Sequence, residues 1–168
     1  IPGSLRGIVM TNVLHHLPLS RKFFAEAARC VRPGGVISMI EPWCTPFSRL
    51  VYSKIHHEPF DPEMPEWEFP VDGPLSGANS ASPWIIFQRD RRQFKQEFPE
   101  WRIQKIRPFM PFRYLLSGGV SLRSLMPGML FGVWRWLEDF LDPQAWGMFA
   151  YIVLTRVKAD GVHDVNTG

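Results

Sequence analysis

His15 and His16 stand side by side in the short segment 14–17, between an apolar run and a stretch of helix formers. Histidine titrates nearer neutrality than any other unperturbed side chain, so an imidazole at the end of a buried run is a candidate general base. Either ring could instead cap or pack at the run's end. Glu41 closes a second apolar run in the tripeptide Glu41-Pro42-Trp43. Its carboxylate could orient a hydroxyl, or could only cap the turn that follows. A second pair, His56-His57 followed by Glu58, invites a metal site shared with His15 and His16. Adjacent imidazoles do not easily turn to one ion, and the sequence shows no second-shell pattern, so no metal is expected.

The elements that must position these groups follow from apolar spacing. Ile8, Val9 and Met10 form a run bounded by Gly7 and Asn12, which reads as a strand over 8–12 buried on both faces. Ser20 is placed to cap a helix over 20–32 whose Phe24, Ala27, Ala28 and Val31 recur at helical spacing. Pro33 stops that helix, and Gly34 and Gly35 supply the positive φ of a reversal. Residues 36–40 are apolar again, leading to Glu41. Two buried strands joined by a helix make a right-handed βαβ unit, hence a parallel sheet with helices over it.

In this order and at these lengths, the strand, His-His loop, helix, Pro-Gly-Gly turn and strand of residues 7–43 resemble the middle of a class I S-adenosylmethionine-dependent methyltransferase. The resemblance implies an α/β fold: a partial Rossmann-like methyltransferase sheet, strands four to seven of the family with the last antiparallel beside the fifth. It implies S-adenosylmethionine as cofactor, with Thr11, Asn12 and Val13 at the strand end touching it. It also implies His16, and less directly His15, as catalytic residues, with Glu41 and Trp43 against the acceptor. The family's glycine-rich cofactor loop and ribose-binding acidic residue would lie N-terminal to Ile1. Weak or absent cofactor binding is therefore expected of this chain alone. Where the family usually begins this strand with a hydrophobic residue and an Asp, the chain has Leu5 and Arg6. That difference concerns the strand's start.

Beyond Trp43 the pattern is looser. Residues 45–57 read as a helix, and 58–83 as a long loop dense in Pro, Gly, Asp and Glu, whose Trp67 and Phe69 suggest docking onto something. A helix over 83–97 follows, with Ile86, Phe87, Phe94 and Phe98 on its apolar face. A half-exposed strand over 101–107 is ended by Pro108 and Pro111. An amphipathic helix over 129–141 presents Leu130, Phe131, Trp134, Leu137, Glu138 and Leu141 as a core stripe, and a strand over 148–157 comes last. One domain over 1–158 is expected, with insertions at 45–83 and 109–142 and a polar tail at 159–168. Insertions rich in aromatics at the ligand rim of an open α/β sheet suit a small or amphipathic substrate with apolar surface.

Composition narrows the function classes. The net charge of +3 and the scattered arginines of 89–107 give no phosphate-tracking stripe, so no nucleic acid is indicated. Apolar stretches are interrupted well short of the roughly 20 residues of a membrane span, so no transmembrane segment is expected. Two cysteines, Cys30 and Cys44, do not make a disulfide scaffold and fit a reducing cytoplasm. Two classes remain: methyl transfer to oxygen or nitrogen of a small or amphipathic acceptor, or a non-catalytic αβ remnant that binds a partner or membrane surface. In either, the first strand lacks a neighbour on one side, and self-association through it is expected.

Overall fold

The computed structural model describes residues 1–54, 58–70, 77–116 and 127–157. Four strands, β1 (Leu5–Thr11), β2 (Val31–Pro42), β3 (Trp101–Phe109) and β4 (Phe149–Arg156), form one mixed sheet in the order β1-β2-β4-β3. β1 runs parallel to β2, whereas β4 is antiparallel to both β2 and β3. This is the order expected for the last four strands of a Rossmann-like methyltransferase sheet, with the final strand inserted beside the second. The expected tail at 159–168 lies outside the described residues.

The βαβ unit forms through α1 (Ser20–Cys30), whose Phe24, Ala27 and Ala28 are buried against the sheet together with Val31. Ser20 is not the cap: Leu19 occupies that position without a side-chain bond, and the Ser20 hydroxyl donates to the Trp67 carbonyl at 3.5 Å. The Pro-Gly-Gly turn lies inside β2, where pairing jumps from Leu5↔Val31 to Gly7↔Val36. Gly34 has φ +80°, and a Cβ on Gly35 would stand 2.7 Å from the Arg6 carbonyl oxygen. The bulge thus needs both glycines.

After α2 (Pro46–Lys54) the chain runs without regular structure through the described part of the long loop. Trp67 there is 1% exposed, donates Nε1–H to Asp90 Oδ2 at 2.8 Å and lies under the Arg21 guanidinium. The docking that its aromatics suggested is onto the chain's own core. The next helix is interrupted: α3 (Ser82–Trp84) passes into a π turn (Ile85–Arg89) before α4 (Arg91–Glu97). The π turn lets Ile85, Ile86 and Phe87 all face inward, which a regular helix cannot do with three consecutive residues. Pro108 does not end β3 but pairs with Ala150, which an edge strand tolerates.

The C-terminal insertion carries α5 (Arg113–Leu116), α6 (Phe131–Glu138, preceded by the 3-10 turn Gly128–Leu130) and α7 (Pro143–Trp146). The expected core stripe of α6 is only partly inward: Leu130, Phe131 and Leu137 are more than two-fifths exposed, Trp134 is half-buried against Phe112, and Glu138 is buried. A carboxylate, more than the apolar side chains, ties this helix to the rest of the chain.

The sheet has a covered face and an open face. Met10, Ile37, Met39, Ala150, Ile152 and Leu154 are buried beneath α1, α3, the π turn, α4 and Trp67. On the other side Val9 is 82% exposed and Val36 37%. The expectation of a first strand buried on both faces is corrected here. The apolar run promised two buried faces, but the second face is covered only at the strand ends, where α2 and α5 pack on Ile40 and Phe149, and Val9 and Val36 stay bare.

Candidate functional site

The site grows from the ends of the two parallel strands. The last register pair is Thr11↔Ile40, and the Asn12 N–H donates to the Ile40 carbonyl at 2.9 Å. Asn12 then takes φ +54°, a left-handed conformation that Asn tolerates, and turns the chain into the 3-10 turn Leu14–His16. Glu41, next along β2, points to the covered face beneath that turn. Its Oε1 accepts from the Val13 and Leu14 N–H groups, both at 2.9 Å, and its Oε2 pairs with His15 Nδ1 at 2.8 Å. Glu41 is 0% exposed and His15 1%. An oxygen that receives two backbone donors is best satisfied as a carboxylate, which assigns the shared proton to His15 Nδ1.

The other ring nitrogen of His15, Nε2, faces Glu58, from the loop after α2. His15 Nε2 lies 3.6 Å from Glu58 Oε2, and His16 Nε2 lies 3.9 Å from Glu58 Oε1. Ser80 donates its hydroxyl to Glu58 Oε2 at 3.0 Å, and the Asn79 N–H donates to the His15 carbonyl. The two imidazoles are 4.1 Å apart between centroids and tilted by 40°. His16 is half-buried, and its Nδ1 is buried without a hydrogen-bond partner. Burial and the neighbouring His15 ring hold the His16 pKa below its ordinary value, against the opposing pull of Glu58 and Glu41. His16 is thus neutral at physiological pH.

Of the residues singled out in the sequence, His15, His16 and Glu41 come together. Trp43 is packed into the core at 3% exposure. Thr11 is exposed at the strand end. Asn12 Oδ1 is buried and, among the described residues, has no hydrogen-bond partner, whereas the Asn12, Val13 and Leu14 N–H groups are already donated within the chain. Among the described residues no glycine-rich loop leads into a helix N-terminus to hold S-adenosylmethionine. Glu58 is the member that sequence reasoning did not assign to the site. Its only signal was its place after His56-His57, which lie outside the described residues.

A separate cavity of about 680 Å³ opens on the uncovered face, lined by Ile40, Lys105, Arg107, Phe109, Arg135 and Tyr151 among others. Ile40 and Glu41 are consecutive on β2 and point to opposite faces, so the cavity and the histidine cluster flank the same strand end. The second insertion supplies the cavity's outer wall. It is fixed there by Glu138, which accepts from the Phe112 and Arg113 N–H groups and from Arg113 Nε.

The parallel strand ends, the intervening helix and the histidine loop form one α/β unit. Residues 2–39 match the family model described as "Methyltransferase domain". That stretch covers β1, the histidine turn, α1 and most of β2, and within it the chain is class I methyltransferase-like. Among solved structures, a SAM dependent methyltransferase from Archaeoglobus fulgidus aligns at 15% identity and TM-score 0.44, over 92% of this chain. The chain spans 60% of that structure's length. No curated protein matches it. Among the described residues, no helix is long and apolar enough to cross a membrane.

Proposed function

We propose that the protein containing this chain transfers a methyl group from S-adenosylmethionine to oxygen or nitrogen of a small or amphipathic acceptor. The observation that carries this reading is the clamp of Glu41 on Val13, Leu14 and His15, within the segment that matches a methyltransferase domain. When bound, the cofactor supplies an electrophilic methyl for in-line displacement. The chain's part is to position the acceptor and receive its proton. Glu41 fixes the turn and, through it, the ring of His15. His16, neutral and half-exposed beside that ring, takes the acceptor's proton on Nε2. Thr11, Asn12 and Val13 form the edge against the cofactor, with Asn12 Oδ1 as the unused acceptor. Glu41 acts on the acceptor only through this scaffold, and Trp43 supports the strand end from the core.

The cavity on the open face supports an amphipathic acceptor. Phe109, Ile40 and Tyr151 offer apolar wall, and Lys105, Arg107 and Arg135 offer cationic groups. Self-association through β1 belongs to the same proposal, as does a reducing compartment compatible with the free thiols of Cys30 and Cys44. The test is transfer of labelled methyl from S-adenosylmethionine to hydroxyl and amine acceptors by the full-length gene product. Turnover should fall about 100-fold in His16→Ala, the scale of a lost general base. No label transfer to any acceptor, with cofactor binding intact, would overturn the reading.

A second reading has its own observation. Met129, Phe131, Trp136 and Phe140 are exposed at 87%, 47%, 59% and 71% on and around α6, a surface suited to a partner or a membrane interface. Sedimentation with lipid vesicles by a protein inactive in methyl transfer would favour it.

A further inference from the structure

His15 Nδ1 is held by Glu41 at 2.8 Å, and its Nε2 lies 3.6 Å from Glu58 Oε2, beyond a direct hydrogen bond. His16 Nε2 approaches the other oxygen of the same carboxylate at 3.9 Å, also beyond hydrogen-bond range. The ligand atoms of His15, His16 and Glu58 all lie within 4.8 Å of one another. In a tetrahedral shell with bonds of about 2.0–2.1 Å, ligand atoms stand about 3.3–3.5 Å apart. The 3.6 and 3.9 Å separations exceed that spacing by a few tenths of an ångström.

We propose that His15, His16 and Glu58 bind a divalent transition-metal ion, with Zn²⁺ as the best match. Two imidazole nitrogens and one carboxylate oxygen make a borderline donor set, which favours zinc over the hard ions Mg²⁺ and Ca²⁺. The surroundings are those of a built site. Glu41 receives the Nδ1–H of His15 at 2.8 Å, the carboxylate–histidine arrangement that fixes tautomer and ring orientation behind a metal ligand. The Ser80 hydroxyl donates to Glu58 Oε2 at 3.0 Å and holds that carboxylate from the other side. His16 and Glu58 keep 31% and 27% of their side chains exposed, which leaves a fourth position open to solvent or a ligand. Adjacency in sequence is no obstacle, because the 3-10 turn tilts the two rings by 40° and brings both Nε2 atoms to one carboxylate.

This inference does not rest on methyl transfer. A metal on His16 Nε2 occupies the lone pair that a proton acceptor would use, so the loaded and the basic forms of His16 exclude each other. The test is calorimetric titration of Zn²⁺ into chelator-stripped full-length protein, with Mg²⁺ as control and circular dichroism to confirm folding. One zinc per chain at micromolar affinity or tighter is expected, with no saturable Mg²⁺ heat. Glu58→Gln and His16→Ala should each weaken zinc binding at least tenfold, and Glu41→Gln about 10–100-fold through the ligand it orients. Should Glu41→Gln fail to fold, Ser80→Ala serves as the milder probe of the same support. Absence of saturable zinc binding, or binding unchanged in both folded Glu58→Gln and His16→Ala, would overturn the proposal, whatever the methyl-transfer assay shows.

Discussion

Glu41 and Glu138 are the same device used twice. Each is buried, each accepts two consecutive backbone N–H groups on Oε1, and each takes the side chain of a following or adjoining residue on Oε2. Glu41 thereby pins the histidine turn to the end of β2, and Glu138 pins the start of α5 to α6. The partner on Oε2 differs. Arg113 brings a guanidinium that has donors only, so its bond ends the chain of interactions. His15 brings an imidazole with a second nitrogen, and that nitrogen faces Glu58. The same carboxylate clamp is a dead end in one region and a relay in the other. The difference lies wholly in the partner's chemistry.

The comparison is broken most severely by removing the carboxylates. Glu41→Leu leaves the buried Leu14 and His15 donors and the part-buried Val13 N–H without their carboxylate. About 3–5 kcal/mol of stability should be lost, the scale of breaking a buried, hydrogen-bonded charge. Urea denaturation measures it. Glu138→Leu should lose less, about 2–3 kcal/mol, because Arg113 at 17% side-chain exposure can turn to solvent. Equal losses would mean that burial, not the partner, sets the value of the clamp.

Amide substitution should reverse the ranking. In Glu41→Gln the amide oxygen still accepts the two backbone donors, and the amide NH₂ meets a His15 ring free to move its proton to Nε2. That proton then points toward Glu58 Oε2, 3.6 Å away. The cost should be about 1 kcal/mol or less. In Glu138→Gln the NH₂ meets Arg113, which has no acceptor in any state, and about 1–2 kcal/mol should be lost. Nitrogen-15 shifts of His15 would show the tautomer change directly. A His15 that keeps its Nδ1 proton in Glu41→Gln would contradict the relay.

Much of this was legible in the residues, and what was not has identifiable causes. The βαβ unit could be read because apolar spacing and the Pro-Gly-Gly stop act locally, whereas the antiparallel sense of the final strand came only from the resemblance to the methyltransferase family, since spacing does not record strand direction. The histidine pair and Glu41 could be read because each closes an apolar run. The burial of Val9 was misjudged because an apolar strand records how its sheet can pack, not which layers are present. The α6 stripe was misjudged because Leu130, Phe131 and Leu137 have the spacing of a core face, while the residue that goes inside is Glu138, whose partners lie 25 and 26 positions away. Glu58 meets His15 across an irregular loop, where no periodicity exists to announce a contact.

The two edges of the sheet extend the comparison to the smallest effect on stability. β3 is guarded: Arg102, Lys105 and Arg107 are exposed along it, Pro108 removes a donor, and a register shift follows Ile103. β1 is guarded only at its start, by the exposed Arg6 and a register shift between Leu5 and Gly7. Val9 is 82% exposed, Leu5 42%, and among the described residues no strand pairs with the outer side of β1. A bare apolar edge recruits a second chain, and the exposed Val9 and Val36 side chains beside it add surface to bury. The chain should therefore associate as a dimer or larger at tens of micromolar, roughly the regime in which such edges act. Val9→Lys should leave stability within about 0.5 kcal/mol, since the side chain already stands in water. It should nevertheless return the chain to a monomer by placing a charge on the pairing face. Light scattering of the two proteins at matched concentration decides the matter. A monomeric parent chain, or a Val9→Lys variant that associates as strongly as the parent, would move the contact away from β1.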